Sequence, residues 1–371
     1  MTTIALSTSA RLRPAVILGW ALGGLGGLFL GLAGRVFATS PGFGFDLNCY
    51  VGGALRLAGG GPLYLARLVQ APFVHGGADV YVYPPPLAIA LLPVASRPFP
   101  DLAVGWLLLH VVLLGAACGL LPLPLHERAA AFGVMAFSLS TLVDLNLGNV
   151  SLLVLFLLVV AWRWRERARG GAALAIATAL RPTCGLLLAW GILGRHRRFA
   201  LAAIGTGLLL FAASLPFVGM GGWIDYVRVL RNVQVAGHEH NGALESVAIG
   251  LGLGGAFPML FHLSGVGLAL GAMVVAFRKR DEELAFVVTL MASQLLTPLL
   301  WEHYLVTLLI PAAFLAARGR PWALALPLLA WLPYSMLALG AVAGLLVPFL
   351  PGRPANVIGA HSRGRPLPSP A

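Results

Sequence analysis

Long apolar runs are the feature that most constrains how this chain folds. A helix needs about 20 apolar residues to cross a bilayer, and the run 14–34 reaches that length. Further candidate spans are 101–121, 199–218, 260–277, 284–300, 304–317 and 321–341, with shorter runs at 85–96, 129–143, 150–162, 171–180 and 183–194. The pattern predicts an all-α integral membrane protein with about ten to twelve membrane segments, some of them short or re-entrant.

Composition supports this class and excludes others. The chain is 59% hydrophobic and 10% charged, whereas soluble domains carry about 25% charged residues. These values exclude a soluble secreted enzyme, a disordered chain and a disulfide scaffold. The net charge of +12 suggests nucleic-acid binding in a soluble protein. Here the arginines form short clusters between apolar runs, which favours cytoplasmic loops and no nucleic-acid partner.

The basic clusters predict a topology. They occupy 163–169, 195–198, 278–280 and 318–320, and the positive-inside rule places all four in the cytoplasm. The polar stretches between them then face outward: 144–151, 181–182, 219–245 and 297–303. The apolar runs flanking Arg181 are too short to cross a bilayer, so we expect broken helices around an outer polar cavity. The sidedness of 126–128 stays open, because 85–96 either crosses or does not.

The segments 38–83 and 219–245 are predicted to be long loops on the outer side of the membrane, and together they are expected to form the site. The expected organisation is a single membrane domain over residues 1–350. It begins with a retained helix whose N-terminus is cytoplasmic, since no cleavage-site pattern follows the first run. Residues 351–371, rich in proline and arginine, are predicted to form a disordered cytoplasmic tail.

Acidic residues on the outer side are candidates for function, because a carboxylate beside a membrane cavity is costly to bury. Asp46 is the foremost candidate, since it lies at the head of the first long loop and shares a helix face with Tyr50. The alternative is an aspartate that caps a surface helix. The full set of outer acids is Asp46, Asp79, Asp144, Asp225, Glu239, Glu245 and Glu302.

Arg181 interrupts an otherwise apolar stretch and precedes Pro182. An arginine near a helix end can extend its side chain to the membrane surface, but this end lies opposite the basic loops. An arginine directed into a cavity is suited to binding phosphate. We therefore interpret Arg181 as a candidate anion ligand.

Four further segments carry polar or aromatic residues that could serve a site. Residues 301–304 (Trp-Glu-His-Tyr) and 81–86 (Tyr-Val-Tyr-Pro-Pro-Pro) could simply anchor the chain at the membrane interface. Residues 148–151 form a tight polar turn. His238, His240 and Asn241 lack the regular spacing of metal ligands, so no metal site is predicted.

Taken in order, these segments resemble glycosyltransferase family 87, whose members are bacterial integral membrane enzymes of the GT-C superfamily that use polyprenyl-phosphate sugars. The resemblance covers roughly residues 14–340. The shared pieces, in chain order, are Asp46 with Tyr50, Tyr83-Pro84-Pro85, the turn 148–151, Arg181-Pro182, the Asn…Ser loop 241–246 and the Pro-x-x-Trp-x-His-Tyr segment 298–304.

The chain departs from the family pattern at three places. The family's Gly-Gln-x-Asn turn is here Gly148-Asn149-Val150-Ser151, and a common lysine before proline is here Arg181. The Asn…Ser loop is spread more widely than usual. These differences leave two questions open. One is the identity of the sugar, and the other is whether a protein with the altered turn retains activity.

The resemblance implies a GT-C-type helix bundle in the bacterial plasma membrane with its active site on the periplasmic side. It implies transfer of a sugar, mannose by analogy, from a polyprenyl phosphate to a lipid-linked or glycan acceptor. Asp46 would be the general base. Donor phosphate and sugar would be bound by residues among Arg181, His303, Trp301, Tyr83, Tyr50, Asn149, His240 and Asn241.

Two other functions remain open at this point. A transporter or flippase of a lipid-linked or anionic substrate would use the same arginine and the same broken helices. A glycan ligase or polymerase would normally carry its large loop late in the chain. The length of the 38–83 segment and the lack of evident inverted repeats favour the transferase. Dependence on a divalent cation, the acceptor and the oligomeric state are left undetermined by the sequence.

Overall fold

A computed structural model describes residues 14–74, 79–234 and 240–350. This part of the chain is almost entirely helical. Its first eight α-helices are α1 (Pro14–Ala38), α2 (Phe45–Ala58), α3 (Ala66–Gln70), α4 (Pro85–Leu91), α5 (Phe99–Leu120), α6 (Leu125–Phe137), α7 (Leu139–Leu147) and α8 (Ser151–Arg163). The others are α9 (Ala168–Leu180), α10 (Leu187–Leu193), α11 (Arg197–Asn232), α12 (Leu244–Gly250), α13 (Phe257–Arg278), α14 (Glu282–Leu295), α15 (Leu309–Ala317) and α16 (Leu337–Leu346).

Short 3₁₀ segments and one small parallel strand pair complete the described fold. The 3₁₀ segments are Pro182–Leu186, Glu302–Leu308, Pro321–Trp331, Tyr334–Met336 and Val347–Phe349. Strand β1 (Phe73–Val74) pairs in parallel with β2 (Val233–Gln234). This pairing joins the two segments that were expected to form the outer loops.

Four described helices, α1, α5, α11 and α13, are long and apolar enough to cross a membrane. The consecutive helices α6 and α7 qualify together as a fifth but are bent by 63°. Six shorter apolar helical segments accompany them. The all-α polytopic architecture is therefore confirmed, and about ten to twelve segments are reached only when short and broken helices are counted.

The two outer segments contain more helix than expected. Residues 38–83 include α2 and α3, and α11 continues through most of 219–245 to Asn232. The kink in α11 has a local cause. Pro216 lacks a backbone N–H, and Gly219 leaves the helical region with φ 61° and ψ −177°, a conformation that glycine tolerates.

Two candidate spans are broken where the sequence pattern predicts continuous helices. The run 284–300 is helical only to Leu295, because Pro298 disfavours helical backbone at the residue before it. The run 321–341 begins as a 3₁₀ helix, and its chain turns extended at Leu332 immediately before Pro333. These breaks place turns where a regular bundle would have continuous helices.

All four basic clusters lie at one end of the bundle, around residues 281–283. Arg318 forms a two-pronged ion pair with Asp281 at 2.7 and 3.1 Å, and Glu283 lies 3.6 Å from Arg165 and 3.5 Å from Arg318. His196, from the remaining cluster region, approaches Glu282 at 3.7 Å. The loops that the positive-inside rule assigns to one side therefore share one end of the structure.

The polar stretches lie at the opposite ends of short helices that start or finish at this basic end. Helices α8, α9 and α14 contain 13, 13 and 14 residues, which corresponds to about 20 Å each. A hydrocarbon core is about 30 Å thick. A full-length span would end at the far surface of this core, but these helices end inside it. The polar stretches at their ends therefore lie at membrane depth: 144–151, 181–182 and 297–303.

Glycines bring α1 and α6 into close contact. A Cβ atom at Gly26 would lie 2.7 Å from the Gly133 Cα atom, and one at Gly133 would lie 2.3 Å from the Leu22 carbonyl oxygen. Small residues allow this approach in membranes, where van der Waals packing largely replaces the hydrophobic effect as the force between helices. By contrast, Gly24 has no neighbour within 4 Å of its Cβ position.

We expect Gly26→Val to destabilise the bundle by about 1–3 kcal/mol, because added atoms would force α1 away from α6. Gly24→Val, which places the same side chain in the same helix, should be nearly neutral. Thermal unfolding of both variants in detergent measures the difference. Equal losses of stability would contradict the close α1–α6 packing.

Candidate active site

A cavity of about 710 Å³ brings together most of the predicted site residues. Its lining comes from the start of α2, the 81–86 segment, the α7–α8 turn, the α9 end and residues 297–304. Seven of the nine predicted residues line it: Asp46, Tyr83, Asn149, Arg181, His240, Trp301 and His303. Tyr50 and Asn241 do not. A volume of this size is typical of small-molecule sites.

Asp46 lies in the first turn of α2, partly buried at the cavity wall. The N-cap position belongs to Gly44, whose φ of 75° suits glycine. The structure thus does not use Asp46 as the cap. Its Oδ2 atom instead accepts a hydrogen bond of 2.7 Å from Asn149 Nδ2. Burial raises the pKa of Asp46 to about 6, although the Asn149 hydrogen bond acts in the opposite direction.

The α7–α8 turn carries Asn149 to Asp46. Gly148 ends α7 with φ 67°, and a Cβ atom there would lie 2.9 Å from Leu47 Cβ. The Gly44 amide donates to the Asn146 carbonyl at 2.8 Å. The turn therefore packs directly on the N-terminus of α2, and glycine at 148 satisfies both the left-handed backbone and the close approach.

A buried pair, Asp144 and His110, supports this turn from behind. Asp144 Oδ1 accepts hydrogen bonds from the Ser151 and Leu152 amides at 2.8 and 3.3 Å, which caps α8. Its Oδ2 lies 2.8 Å from His110 Nδ1, and both side chains are fully buried. His110 was not among the residues predicted from the sequence to be functional. The available signal was a histidine inside the otherwise apolar middle of 101–121.

Arg181 occupies an extended residue between α9 and the following 3₁₀ segment. Its side chain is 5% exposed. Nη2 donates to Ser151 Oγ, and the guanidinium lies over the Tyr304 ring at 3.7 Å. Within the described residues Nη1 has no hydrogen-bond partner and no carboxylate forms an ion pair with this arginine. A buried cation with a spare donor is suited to an anionic ligand.

The tyrosines in and around the 81–86 segment have two kinds of role: some hold the backbone in place, and one lines the cavity. Tyr64 and Tyr81 donate to the carbonyls of Tyr83 and Pro84 at 2.8 and 2.7 Å. The Tyr83 hydroxyl accepts from Asn149 Nδ2 at 3.2 Å and lines the cavity. Tyr50 packs edge-on against Tyr83, with ring centroids 4.8 Å apart. Tyr50 therefore supports Tyr83 from outside the cavity lining.

Asn241 shapes the 297–304 segment. Its Nδ2 donates to the Pro298 carbonyl at 2.9 Å, and its Oδ1 accepts from the Leu300 and Ala243 amides. The amide that we predicted to contact substrate is thus engaged with the backbone that presents Trp301. A direct substrate contact by Asn241 stays a prediction that this geometry does not favour.

The same segment presents two ionisable side chains to the cavity. Glu302 Oε1 accepts from the Tyr334 hydroxyl at 3.2 Å, and the Tyr334 ring meets His240 at 4.7 Å between centroids. The His303 ring packs edge-on against Tyr304 at 5.0 Å. An acidic group, Glu302, therefore faces the same cavity as the basic Arg181.

Most other predicted outer acids have local roles. Asp79 pairs with Arg67 at the surface, and Asp225 pairs with Arg228 at 3.0 Å. Glu245 lies in the first turn of α12. Glu239 and His238 lie outside the described residues, as does the 351–371 tail. Among the described residues no group of three or more His, Cys, Asp or Glu side chains is placed to hold a metal ion.

Fold and site together define a polytopic α-helical membrane protein with a polar cavity sunk into the bundle. Residues 81–301, more than half of the chain, match the model of glycosyltransferase family 87. The chain belongs to glycosyltransferase family 87 and is a membrane glycosyltransferase. No curated protein and no solved structure matches it. Asp46 and His303 lie outside the matched span and reach the cavity through α2 and the 302–308 segment.

We expect Gly148→Ala to lower glycosyltransferase turnover at least about tenfold, because a methyl group against Leu47 would move Asn149 away from Asp46. Gly42→Ala is the matched control. Gly42 also has a positive φ, of 81°, but has no neighbour within 4 Å of its Cβ position. Turnover and melting temperature of both variants separate the contact from backbone strain. Equal turnover would contradict this role of the turn.

Proposed function

We propose that this protein transfers a hexose, mannose by family analogy, from a polyprenyl phosphate to a hydroxyl group of a lipid-linked or glycan acceptor. The reaction would be an inverting single displacement on the outer face of a bacterial plasma membrane. One observation carries the proposal: a partly buried carboxylate, Asp46, and a buried arginine with a spare donor, Arg181, share one cavity.

Asp46 would act as the general base. Its carboxylate would remove the proton from the acceptor hydroxyl as the oxygen attacks the anomeric carbon. Burial keeps the pKa of Asp46 at about 6, which makes it a stronger base than an exposed aspartate yet leaves it ionised near neutral pH. A second catalytic carboxylate is not required, because the phosphate leaving group departs without a proton.

Arg181 would bind the donor phosphate. As the bond between the anomeric carbon and the phosphate oxygen breaks, its electron pair passes to the phosphate. Positive charge held beside that oxygen stabilises the transition state. His303 and His240 line the same cavity and are our candidates for further phosphate contacts. Trp301 and Tyr83 would pack against the sugar.

The depth of the site suits a lipid-borne donor. The helices between the basic end and the cavity are shorter than the hydrocarbon core, so the floor of the cavity would lie within the hydrocarbon layer, on the side away from the basic clusters. A phosphate attached to an isoprenoid would enter with its tail still in the membrane. If the basic clusters are cytoplasmic, as the positive-inside rule expects, this level belongs to the outer leaflet.

The second candidate, a carrier for a lipid-linked or anionic substrate, is favoured by one observation. The 63° bend between α6 and α7 and the break at Arg181 resemble the discontinuous helices at transporter sites. A carrier would bind the donor without releasing free polyprenyl phosphate.

We expect Asp46→Asn to reduce sugar transfer by about 10²- to 10⁴-fold, since the amide cannot accept the acceptor proton. Asp101→Asn is the matched control, because Asp101 also lies in the first turn of a helix but is exposed and outside the cavity. The measurement uses purified protein in detergent, short-chain polyprenyl-phosphate sugars and release of polyprenyl phosphate.

Three results of that experiment contradict the proposal in different ways. Equal release from wild type and Asp46→Asn would remove Asp46 as the base. Donor binding without release in wild type, with acceptors supplied, would favour the carrier. Transfer of sugar to the acceptor from a nucleotide sugar, with no transfer from any polyprenyl-phosphate sugar, would overturn the lipid donor. The sugar on the best polyprenyl phosphate tests the analogy with mannose.

The pH dependence follows from the raised pKa of Asp46. Protonated Asp46 is inactive as a base, so kcat/KM should fall about tenfold per pH unit below about 6 and level off above it. The sugar-phosphate diester of the donor does not titrate in this range. Glu302 contributes to raising the Asp46 pKa, so Glu302→Gln should move the midpoint slightly downward. A rate independent of pH between 5 and 7 would contradict this assignment.

A further inference from the structure

One uninterrupted chain of hydrogen bonds joins Arg181 to Asp46. Arg181 Nη2 donates to Ser151 Oγ, and Ser151 Oγ donates to Asn149 Oδ1 at 2.8 Å. Asn149 Nδ2 then donates to Asp46 Oδ2 at 2.7 Å. The proposed base, Asp46, and the proposed phosphate ligand, Arg181, are thus connected through only two side chains, both from the α7–α8 turn.

The direction of this chain is dictated by its arginine. A guanidinium only donates hydrogen bonds, so Ser151 Oγ must accept from Arg181 and directs its own proton to Asn149 Oδ1. That contact turns the Asn149 amide so that its NH₂ group faces Asp46. Reversal of the amide would set Oδ1 against the carboxylate, which is repulsive. Ser151 therefore reinforces the orientation in which the NH₂ group of Asn149 faces Asp46 and anchors the opposite end of the amide.

We infer that Ser151 is a positioning residue that orients Asn149 as the donor to Asp46 and ties the base to the phosphate-binding arginine. This inference rests on the proposed roles of Asp46 and Arg181. Ser151 is fully buried and does not line the cavity, so it contacts neither substrate. It acts through Asn149 on one side and through Arg181 on the other.

The second tie has a consequence for the donor site. With Nη2 held by Ser151 and the guanidinium plane stacked on Tyr304, the unpartnered Nη1 is presented in one orientation. A phosphate bound there would lie at a set separation from Asp46, since both partners are fixed to the same turn. Such pre-alignment of reacting groups lowers the entropic part of the barrier.

Several other ionisable groups influence Asp46 and must be held constant in any test. Glu302 and Asp144 raise its pKa by like-charge repulsion. Arg181 and the two cavity histidines are the cationic or titratable neighbours in the lining. Cys49, Tyr50, Tyr83 and Tyr304 also interact electrostatically with Asp46. A Ser151 variant changes none of these side chains chemically, and among them Arg181 is the one that loses a hydrogen bond in the described structure.

The test is Ser151→Ala, which keeps the backbone amide that Asp144 binds. Without the hydroxyl, Asn149 is free to rotate and donates to Asp46 only part of the time. Because that hydrogen bond stabilises the ionised carboxylate, the acid limb of kcat/KM should move upward by about one pH unit. We also expect kcat to fall about tenfold. Ser151→Thr, which retains a hydroxyl, should restore the wild-type limb.

A matched control removes a buried hydroxyl elsewhere. Ser293 is 1% exposed, lies in α14, bonds to the Leu290 carbonyl and does not line the cavity. Ser293→Ala should leave the acid limb unchanged even if it lowers the melting temperature. A shift of similar size in Ser293→Ala would show that general destabilisation moves the limb and would overturn the inference.

A second measurement does not depend on activity. Dicyclohexylcarbodiimide labels protonated carboxyl groups, so labelling of Asp46 against pH, followed by mass spectrometry, reports its titration directly. We expect a midpoint near 6 in wild type and a higher one in Ser151→Ala. The same midpoint in both proteins overturns the inference. A shifted midpoint in a protein that transfers no sugar from any polyprenyl phosphate overturns the proposed function alone.

Discussion

The hydrogen bond from Asn149 to Asp46 is the contact on which the rest of the site depends. It joins side chains 103 residues apart in sequence and therefore holds the N-terminus of α2 against the α7–α8 turn. Gly148 makes the approach sterically possible, and the Asp144–His110 pair keeps the turn in place from behind. Taken together, these features place the Asn149 amide against the Asp46 carboxylate.

Burial of charge explains why the surrounding helices are short and broken. Inside a membrane protein, a charged or polar group must be paired, be exposed to a water-filled cavity, or bind a ligand. Asp144 follows the first course with His110 and two backbone amides. Asp46 and Glu302 line the cavity, where Asp46 accepts a hydrogen bond from Asn149 and Glu302 accepts one from Tyr334. Arg181, which is 5% exposed and stacked on Tyr304, retains one donor without a partner among the described residues, and under the proposed function this donor would bind the phosphate.

The sequence was most informative where a charge interrupts an apolar run. Asp46, Arg181 and Glu302 could be singled out because a membrane makes such residues expensive, and all three line the cavity. The path of the backbone between these residues could not be predicted from the sequence. The kink at Gly219 and the end of α14 at Leu295 depend on local proline and glycine geometry within otherwise apolar runs. His110 was not predicted, because its partner Asp144 is distant along the chain. Ser151 was recognised only as part of the altered turn, and its contact with Arg181 was not predicted. Asn241 contacts backbone, whereas its side-chain chemistry alone suggested a sugar ligand.

The substitution of serine for asparagine at the end of the family's turn gains a physical meaning from this arrangement. The Ser151 hydroxyl accepts from Arg181 and donates to Asn149 with a single oxygen atom. An asparagine amide would have to accept with its oxygen atom and donate with its NH₂ group, and its side chain is longer. Asn149, in turn, is one methylene shorter than the glutamine that the family pattern has there. With Gly148 holding the turn close to Leu47, the shorter side chain spans the remaining gap to Asp46. In this chain the turn therefore forms a continuous hydrogen-bonded connection between Arg181 and Asp46.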